Sequence, residues 1–170
     1  MKKREEILEF IENDEIKLFD ESKDEALIGY VERAGGDSSF VLYDKNKIFE
    51  LFKYEPLWYE EGHLYFTKAT LKEIEKVDEG EMLIADGFND AIIGYAHGKE
   101  GINFVIYNSE KCIEILAKDF AEEMRIQEPN KTEEEIEEET NTMALEYFYY
   151  NTIGTYMGKR TPGFATLFSE

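Results

Sequence analysis

Cysteine, histidine and basic side chains are all scarce: one Cys, two His and 19 Lys plus Arg in 170 residues. A lone thiol, Cys112, forms no internal disulfide, which fits a reducing compartment such as the cytoplasm. One thiol and two histidines also fall short of the usual zinc ligand sets, and His63 and His97 have no partners at metal-ligand spacing. No apolar run approaches the roughly 20 residues that cross a bilayer, so no membrane association is expected. The basic start, Met1-Lys2-Lys3-Arg4, is not followed by the apolar stretch of a secretory signal. A glycine-rich phosphate loop, a histidine-carboxylate cluster and a thiol beside a base are all missing. The chain therefore reads as a binding protein rather than an enzyme, with no cofactor and no metal.

What the chain has in excess is acid. Asp and Glu number 39, the formal net charge is −20 and the sequence pI is near 4.5. Such a surface repels nucleic acid, whose duplex carries about one negative charge per 1.7 Å of axis, so direct DNA or RNA binding is not expected. The same surface can compete for a basic groove that normally holds nucleic acid, with electrostatic steering speeding the encounter. The densest run is Glu133, Glu134 and Glu135, then Ile136, then Glu137, Glu138 and Glu139. We assign these six carboxylates as the partner-binding candidates. The competing reading is a solvated helix start, where the helix dipole stabilises acid. A composition of 42% hydrophobic and 14% aromatic residues supports a real core despite the charge.

Two stretches match each other. Residues 25–52 align with 90–116, one residue shorter in the turn of the second copy. Leu27, Ile28, Gly29 and Tyr30 answer to Ile92, Ile93, Gly94 and Tyr95. The glycine inside each strand points to a bulge or to close backbone approach. A polar turn follows in each copy, Ala34 to Ser38 and Gly98 to Gly101, which is hairpin chemistry. The return strands are Phe40-Val41-Leu42-Tyr43 and Phe104-Val105-Ile106-Tyr107. Asp44 and Asn108 then stand where a helix N-cap is wanted. In the helices that follow, Ile48 corresponds to Cys112, which places the thiol in the core. The copies differ at water-facing positions: Glu32 against His97, Arg33 against Gly98, Lys45 against Ser109. The strand-end position shared by Glu32 and His97 reads as exposed.

The expected fold is thus α+β, a single domain over 1–170 with an internally duplicated strand-hairpin-strand-helix unit. The copies, at about 25–52 and 90–116, are expected to pair into one mostly antiparallel four-stranded sheet packed by helices, with a helical C-terminal extension over about 117–170. Lys3 to about Glu12 places Ile7, Leu8 and Ile11 on one helical face. Glu55 to Tyr59 reads as a turn with an aromatic anchor, Thr70 to Ile74 as a short helix and Met82 to Ile84 as a strand. Thr132-Glu133-Glu134-Glu135 is a capping box opening a last helix that runs to about Asn151. Beyond Gly154 and Gly158, the tail Thr161-Pro162-Gly163-Phe164 reads as irregular.

Asp86-Gly87-Phe88-Asn89-Asp90-Ala91-Ile92-Ile93-Gly94, then Tyr107 with Glu110 to Leu116, then Glu146-Tyr147-Phe148 and Asn151 to Tyr156 through Gly158 to Thr161-Pro162 form a spaced pattern. It resembles a widespread set of small uncharacterised proteins encoded by bacteriophages, over residues 86–162. The resemblance implies a phage or prophage origin and brings no reaction with it. This chain departs from the set by an acidic insertion before the last helix and by its N-terminal copy.

A second constellation is polar. Asp86, Asn89 and Asp90 cluster in a loop, with Asn151 as a further candidate, and paired carboxylates can hold Mg²⁺ or serve as acid and base. The same residues suit a tight turn and a strand entry. Tyr147, Phe148, Tyr149 and Tyr150 cover every side of a helical turn, so some pack inward and others stay at the surface. The leading reading is a small acidic phage-type protein, in the cytoplasm of the infected or host cell, that binds and inhibits a basic host protein at its nucleic-acid site. The alternatives are a small-ligand binder or metal-dependent enzyme using the Asp86/Asp90 loop, and a homodimeric scaffold.

Overall fold

The computed structural model describes residues 2–11, 16–35, 39–53, 62–98 and 101–168. The expected turn and aromatic anchor at 55–59 lies outside them, as does part of each hairpin turn. The six strands are β1 (Leu27–Glu32), β2 (Ser39–Asp44), β3 (His63–Lys68), β4 (Ile92–His97), β5 (Asn103–Asn108) and β6 (Gly163–Leu167). The helices are α1 (Lys2–Phe10), α2 (Lys45–Phe52), α3 (Leu71–Ile74), α4 (Ser109–Gln127) and α5 (Glu133–Tyr147), the last prolonged by a π-helical turn, Phe148–Thr152.

The fold is α+β, but the sheet differs from expectation in two ways. It closes into a six-stranded barrel in chain order, with β6 pairing back onto β1. Two of its junctions, β2 with β3 and β5 with β6, are parallel. The reason lies in the helices. A helix between two neighbouring strands returns the chain to the end from which it started, and the next strand then runs parallel to the last. The two hairpins therefore never meet; β3 and β6 stand between them. Each was missed for a definable cause. Residues His63 to Phe66 are buried on successive positions, so β3 lacks the in-out alternation of a half-exposed strand. β6 begins right behind Pro162, in a stretch whose proline and glycine read as irregular. The C-terminal segment is accordingly no mere helical extension, since it completes the barrel. Met82 to Ile84 forms no strand, and Met82 is buried in an outer layer instead.

Both halves follow the order strand, strand, helix, strand, with shared details. The β1–β2 register shifts between Leu27 and Gly29, and the β4–β5 register between Ile92 and Gly94. Asp44 Oδ1 accepts from the Lys47 amide at 2.7 Å, and Asn108 Oδ1 from the Lys111 amide at 3.0 Å, so both expected caps form. Tyr43 accepts a hydrogen bond from the Phe19 amide at 3.2 Å, and Tyr107 one from the Ala85 amide at 2.7 Å. Each phenol thus ties the segment preceding its half onto the barrel wall.

The two strand glycines are where the barrel closes. A Cβ on Gly29 would lie 2.2 Å from the Thr166 carbonyl oxygen, and one on Gly94 would lie 2.1 Å from that of Thr67. Those are the β1–β6 and β3–β4 junctions. The barrel interior is filled by Val31, Leu42, Leu64, Phe66, Phe104 and Ile106, with Ala96 and Ala165 as the small members. Outside, Ile7, Leu27, Val41, Tyr43, Ile48 and Tyr65 form the core beneath α1 and α2. Cys112, Leu116, Val105, Tyr107, Ala144 and Phe148 belong to a second outer core beneath α3, α4 and α5. Of the α1 trio, Ile7 is fully buried whereas Leu8 points outward.

Two outcomes follow from this packing. Gly94→Ala is expected to lower the unfolding free energy by about 2 kcal/mol in urea titration, because the added methyl meets backbone that cannot rotate away. Burial pushes the Tyr43 and Tyr107 phenols from 10.0, and the Cys112 thiol from 9.0, up to about 12. The unfolded chain releases these protons earlier than the folded one, so stability is undiminished below pH about 9 and falls as pH rises toward 12. In urea midpoints measured from pH 8 to about 11.5, Tyr107→Phe is expected to make that fall shallower.

Candidate functional site

The acidic run opens α5. Thr132 Oγ1 accepts from the Glu135 amide at 3.2 Å, and the Glu135 carboxylate accepts from the Thr132 amide at 3.2 Å, which completes the expected capping box. Arg125 of α4 makes two-pronged contact with Glu133 at 2.9 Å, and Lys131 pairs with Glu139 and Glu128. The Arg125 hydrogen bonds pull the Glu133 carboxyl below its usual range. Three of the six predicted carboxylates are therefore occupied locally. The other three, Glu134, Glu137 and Glu138, are exposed and carry no ion pair or hydrogen bond among the described residues. Their spacing of three and four places them on one side of the helix, where like charges repel by a few tenths of a kcal/mol per pair. The helix dipole favours acid in the first turn only, so Glu137 and Glu138 gain little from it.

The same side of α5 continues toward its end through Asn141 and Leu145 to Tyr149. Phe148 is fully buried, continuing the inward stripe Ile136, Thr140, Ala144, while Tyr147, Tyr149 and Tyr150 stay at the surface. Tyr150 is 83% exposed and Tyr156, beyond the π-helical turn, 61%. The aromatic block thus divides in the way a helix with one buried stripe requires. α5 spans about 22 Å at 1.5 Å per residue, so acids and tyrosines share one short, continuous stripe.

Strand β1 borders the aromatic end. Tyr30 stacks on Phe10 with ring centroids 4.5 Å apart. Burial pushes the Tyr149 phenol up, with Glu32 and Tyr30 adding to the effect, which puts the three side chains in one electrostatic neighbourhood. Glu32 is half-buried rather than exposed, and burial raises its carboxyl pKa. Its counterpart His97 is also half-buried, with its Nδ1 bonded to Asn103 Oδ1 at 2.9 Å. Both depart from the exposed position expected of this pair, and in each case a neighbouring residue, Arg33 or Asn103, is bonded to the C-terminal turn. Arg33 Nε donates to the Thr161 carbonyl at 2.6 Å and its guanidinium lies 4.0 Å over the Phe104 ring.

The remaining candidates resolve individually. Cys112 is buried and its thiol pushed up to about 12, which is the state of a core residue and not of a nucleophile. His63 is buried with Nε2 bonded to the Lys17 carbonyl and its ring edge-on to Phe19 and Tyr43. Asp86, Asn89, Asp90 and Asn151 are all exposed, and no hydrogen bond joins any two of them. Among the described residues no group of three or more His, Cys, Asp or Glu is placed to hold a metal ion. No helix is long and apolar enough to cross a membrane, again among the described residues.

One measurement follows at the border of the stripe. The raised Glu32 carboxyl costs stability once the unfolded chain ionises, so that cost is absent below pH about 4.5 and present above it. Glu32→Gln is expected to raise the urea midpoint relative to the parent at pH 7 and to leave the difference near zero at pH 4. Comparison with known protein families, with curated proteins and with solved structures finds no match for this chain.

Proposed function

We propose that this chain is a non-enzymatic, phage-type binding protein that engages and inhibits a basic host protein in the cytoplasm, by laying the acidic and aromatic stripe of α5 into the groove where that protein holds nucleic acid. The observation that carries the reading is the set Glu134, Glu137 and Glu138, three carboxylates on one helix side with no partner among the described residues, in line with exposed Leu145 and Tyr149. Charge is concentrated there. The stretch 109–147 holds thirteen acidic and four basic residues, −9 of the chain's −20. Tyrosine and methionine are enriched at contact surfaces, where aromatic anchors supply affinity, and flanking charges supply register and on-rate. We also infer that the two halves descend from one duplicated strand-strand-helix-strand unit, a reading supported by the matched bulges, helix caps and buried tyrosines. On that reading the stripe belongs to what one half acquired and the other lacks.

Immobilised protein is expected to retain a basic, nucleic-acid-binding protein from bacterial lysate at about 50 mM salt and to release it by about 500 mM, since contacts between exposed charges are screened within a few ångströms there. The triple variant Glu134→Gln, Glu137→Gln, Glu138→Gln is expected to lose retention with its thermal stability unchanged or slightly raised. Retention that ignores both salt and the triple substitution overturns the proposal.

A further inference from the structure

Among the described residues, one end of the barrel carries a cavity. Where β1 and β4 begin and β3 and β6 finish, this cavity, of about 760 Å³, enters the barrel mouth. Its apolar floor includes Ile28 and Ile93, the residues just ahead of the two strand glycines, together with Phe66 and Leu167. Ile28 and Ile93 are only partly buried although they pack on the barrel interior. Half-covered isoleucines at the bottom of a cavity leave apolar surface against water, at about 25 cal/mol per Å². Small-molecule sites run from about 300 to 1,000 Å³ and recur in the mouths of barrels.

The rim decides the chemistry. Four charged side chains border the cavity: Lys3, Lys68, Asp44 and Glu73. The acids are engaged. Asp44 caps α2, and Glu73 Oε1 accepts from Thr70 Oγ1 at 3.1 Å. The cations retain donors. Lys3 Nζ makes one long contact, 3.4 Å, to the Leu27 carbonyl, and Lys68 is exposed with no acid or carbonyl partner among the described residues. The strand pairings sharpen this asymmetry. Lys68 lies opposite Gly94 as Leu167 lies opposite Gly29, and Phe66 answers to Ala165. One side of a nearly two-fold mouth thus carries an ammonium where the other carries an isobutyl group.

We propose that the barrel mouth binds an amphipathic small molecule, its apolar body on Ile28, Ile93 and Phe66 and a single carboxylate head at Lys68 and Lys3. The net charge of −20 opposes an anion at long range, but that field is screened within about 8 Å at physiological ionic strength, whereas the head sits against the rim. This site shares no residue with the α5 stripe.

The probes are dodecanoate and dodecanol, each below its aggregation limit, titrated into the full chain by calorimetry with the melting temperature followed in parallel. Dodecanoate is expected to bind with 1:1 stoichiometry and to raise the melting temperature. Dodecanol is expected to bind at least about tenfold more weakly, the scale of one charge-assisted contact. Lys68→Met should shrink that preference to about threefold or less, and Lys68→Met with Lys3→Met should remove it, each leaving the alcohol's affinity within about twofold. Ile93→Trp, which fills the mouth, should abolish binding of both probes without a drop in the melting temperature; where that variant is unstable, Ile28→Phe serves the same end. Absence of dodecanoate binding to the parent chain overturns the proposal. So does equal binding of acid and alcohol, or binding that survives filling of the mouth, which would mark adsorption elsewhere.

Discussion

The structure hangs on two places where one backbone passes against another with no side chain between them. At Gly29 and Gly94 the strand lies so close to the carbonyl oxygens of Thr166 and Thr67 that any Cβ would overlap them. These contacts join β6 to β1 and β3 to β4, the two junctions that connect one half of the chain to the other. Without them the molecule would be two small three-stranded sheets with exposed edges, each burying too little to persist alone. With them the strands close, and Val31, Leu42, Leu64, Phe104 and Ile106 meet in one interior. The two register shifts fall at Ile28 and Ile93, and both residues line the mouth.

Closure then determines what the outside can be. A barrel has no free sheet edge, so helices are needed only to cover outward-facing apolar side chains. α1 and α2 do this for one half, and α3, α4 and α5 for the other, with Tyr43 and Tyr107 pinning the preceding segment of each. The second layer is much the larger, and α5 is held to α4 by the buried stripe Ile136, Thr140, Ala144, Phe148, by the Tyr147 ring edge-on to Phe120 and by the Arg125–Glu133 ion pair. The side of α5 that carries Glu134, Glu137, Glu138 and Leu145 faces outward. Acid and aromatic side chains there cost the fold little, which is the condition for a surface to be shaped by a partner.

Much of this was legible in residues alone. The strand glycines announced close approach, Asp44 and Asn108 announced helix starts, Thr132 with Glu135 announced a capping box, and Cys112 in register with Ile48 announced a core thiol. Each of these signals is local, resting on one residue's conformational freedom, on hydrogen bonds within a turn or on the side chain that a buried position accepts. The acidic run was legible as a helix opening too, but which of its carboxylates stay free was not. That depends on Arg125 and Lys131 arriving from the preceding helix and loop.

The rest belongs to contacts between distant segments. His63 to Lys68 and Gly163 to Leu167 became strands because each found a partner on both sides, and neither carries the alternation that would declare it beforehand. Glu32 and His97 are half-buried at strand ends whose neighbours Arg33 and Asn103 bond a turn some 57 to 128 residues away in the chain. The units were written in the residues: two strand pairs, the helix caps, a capped acidic helix at 132–151 and a charge of −20. Their closing into a barrel with a cavity at its mouth, and the alignment of three carboxylates that are free among the described residues with exposed tyrosine, came from contacts between distant segments. Pairing and closure are set by the free energy of burying both halves at once, and no short stretch of chain carries that quantity.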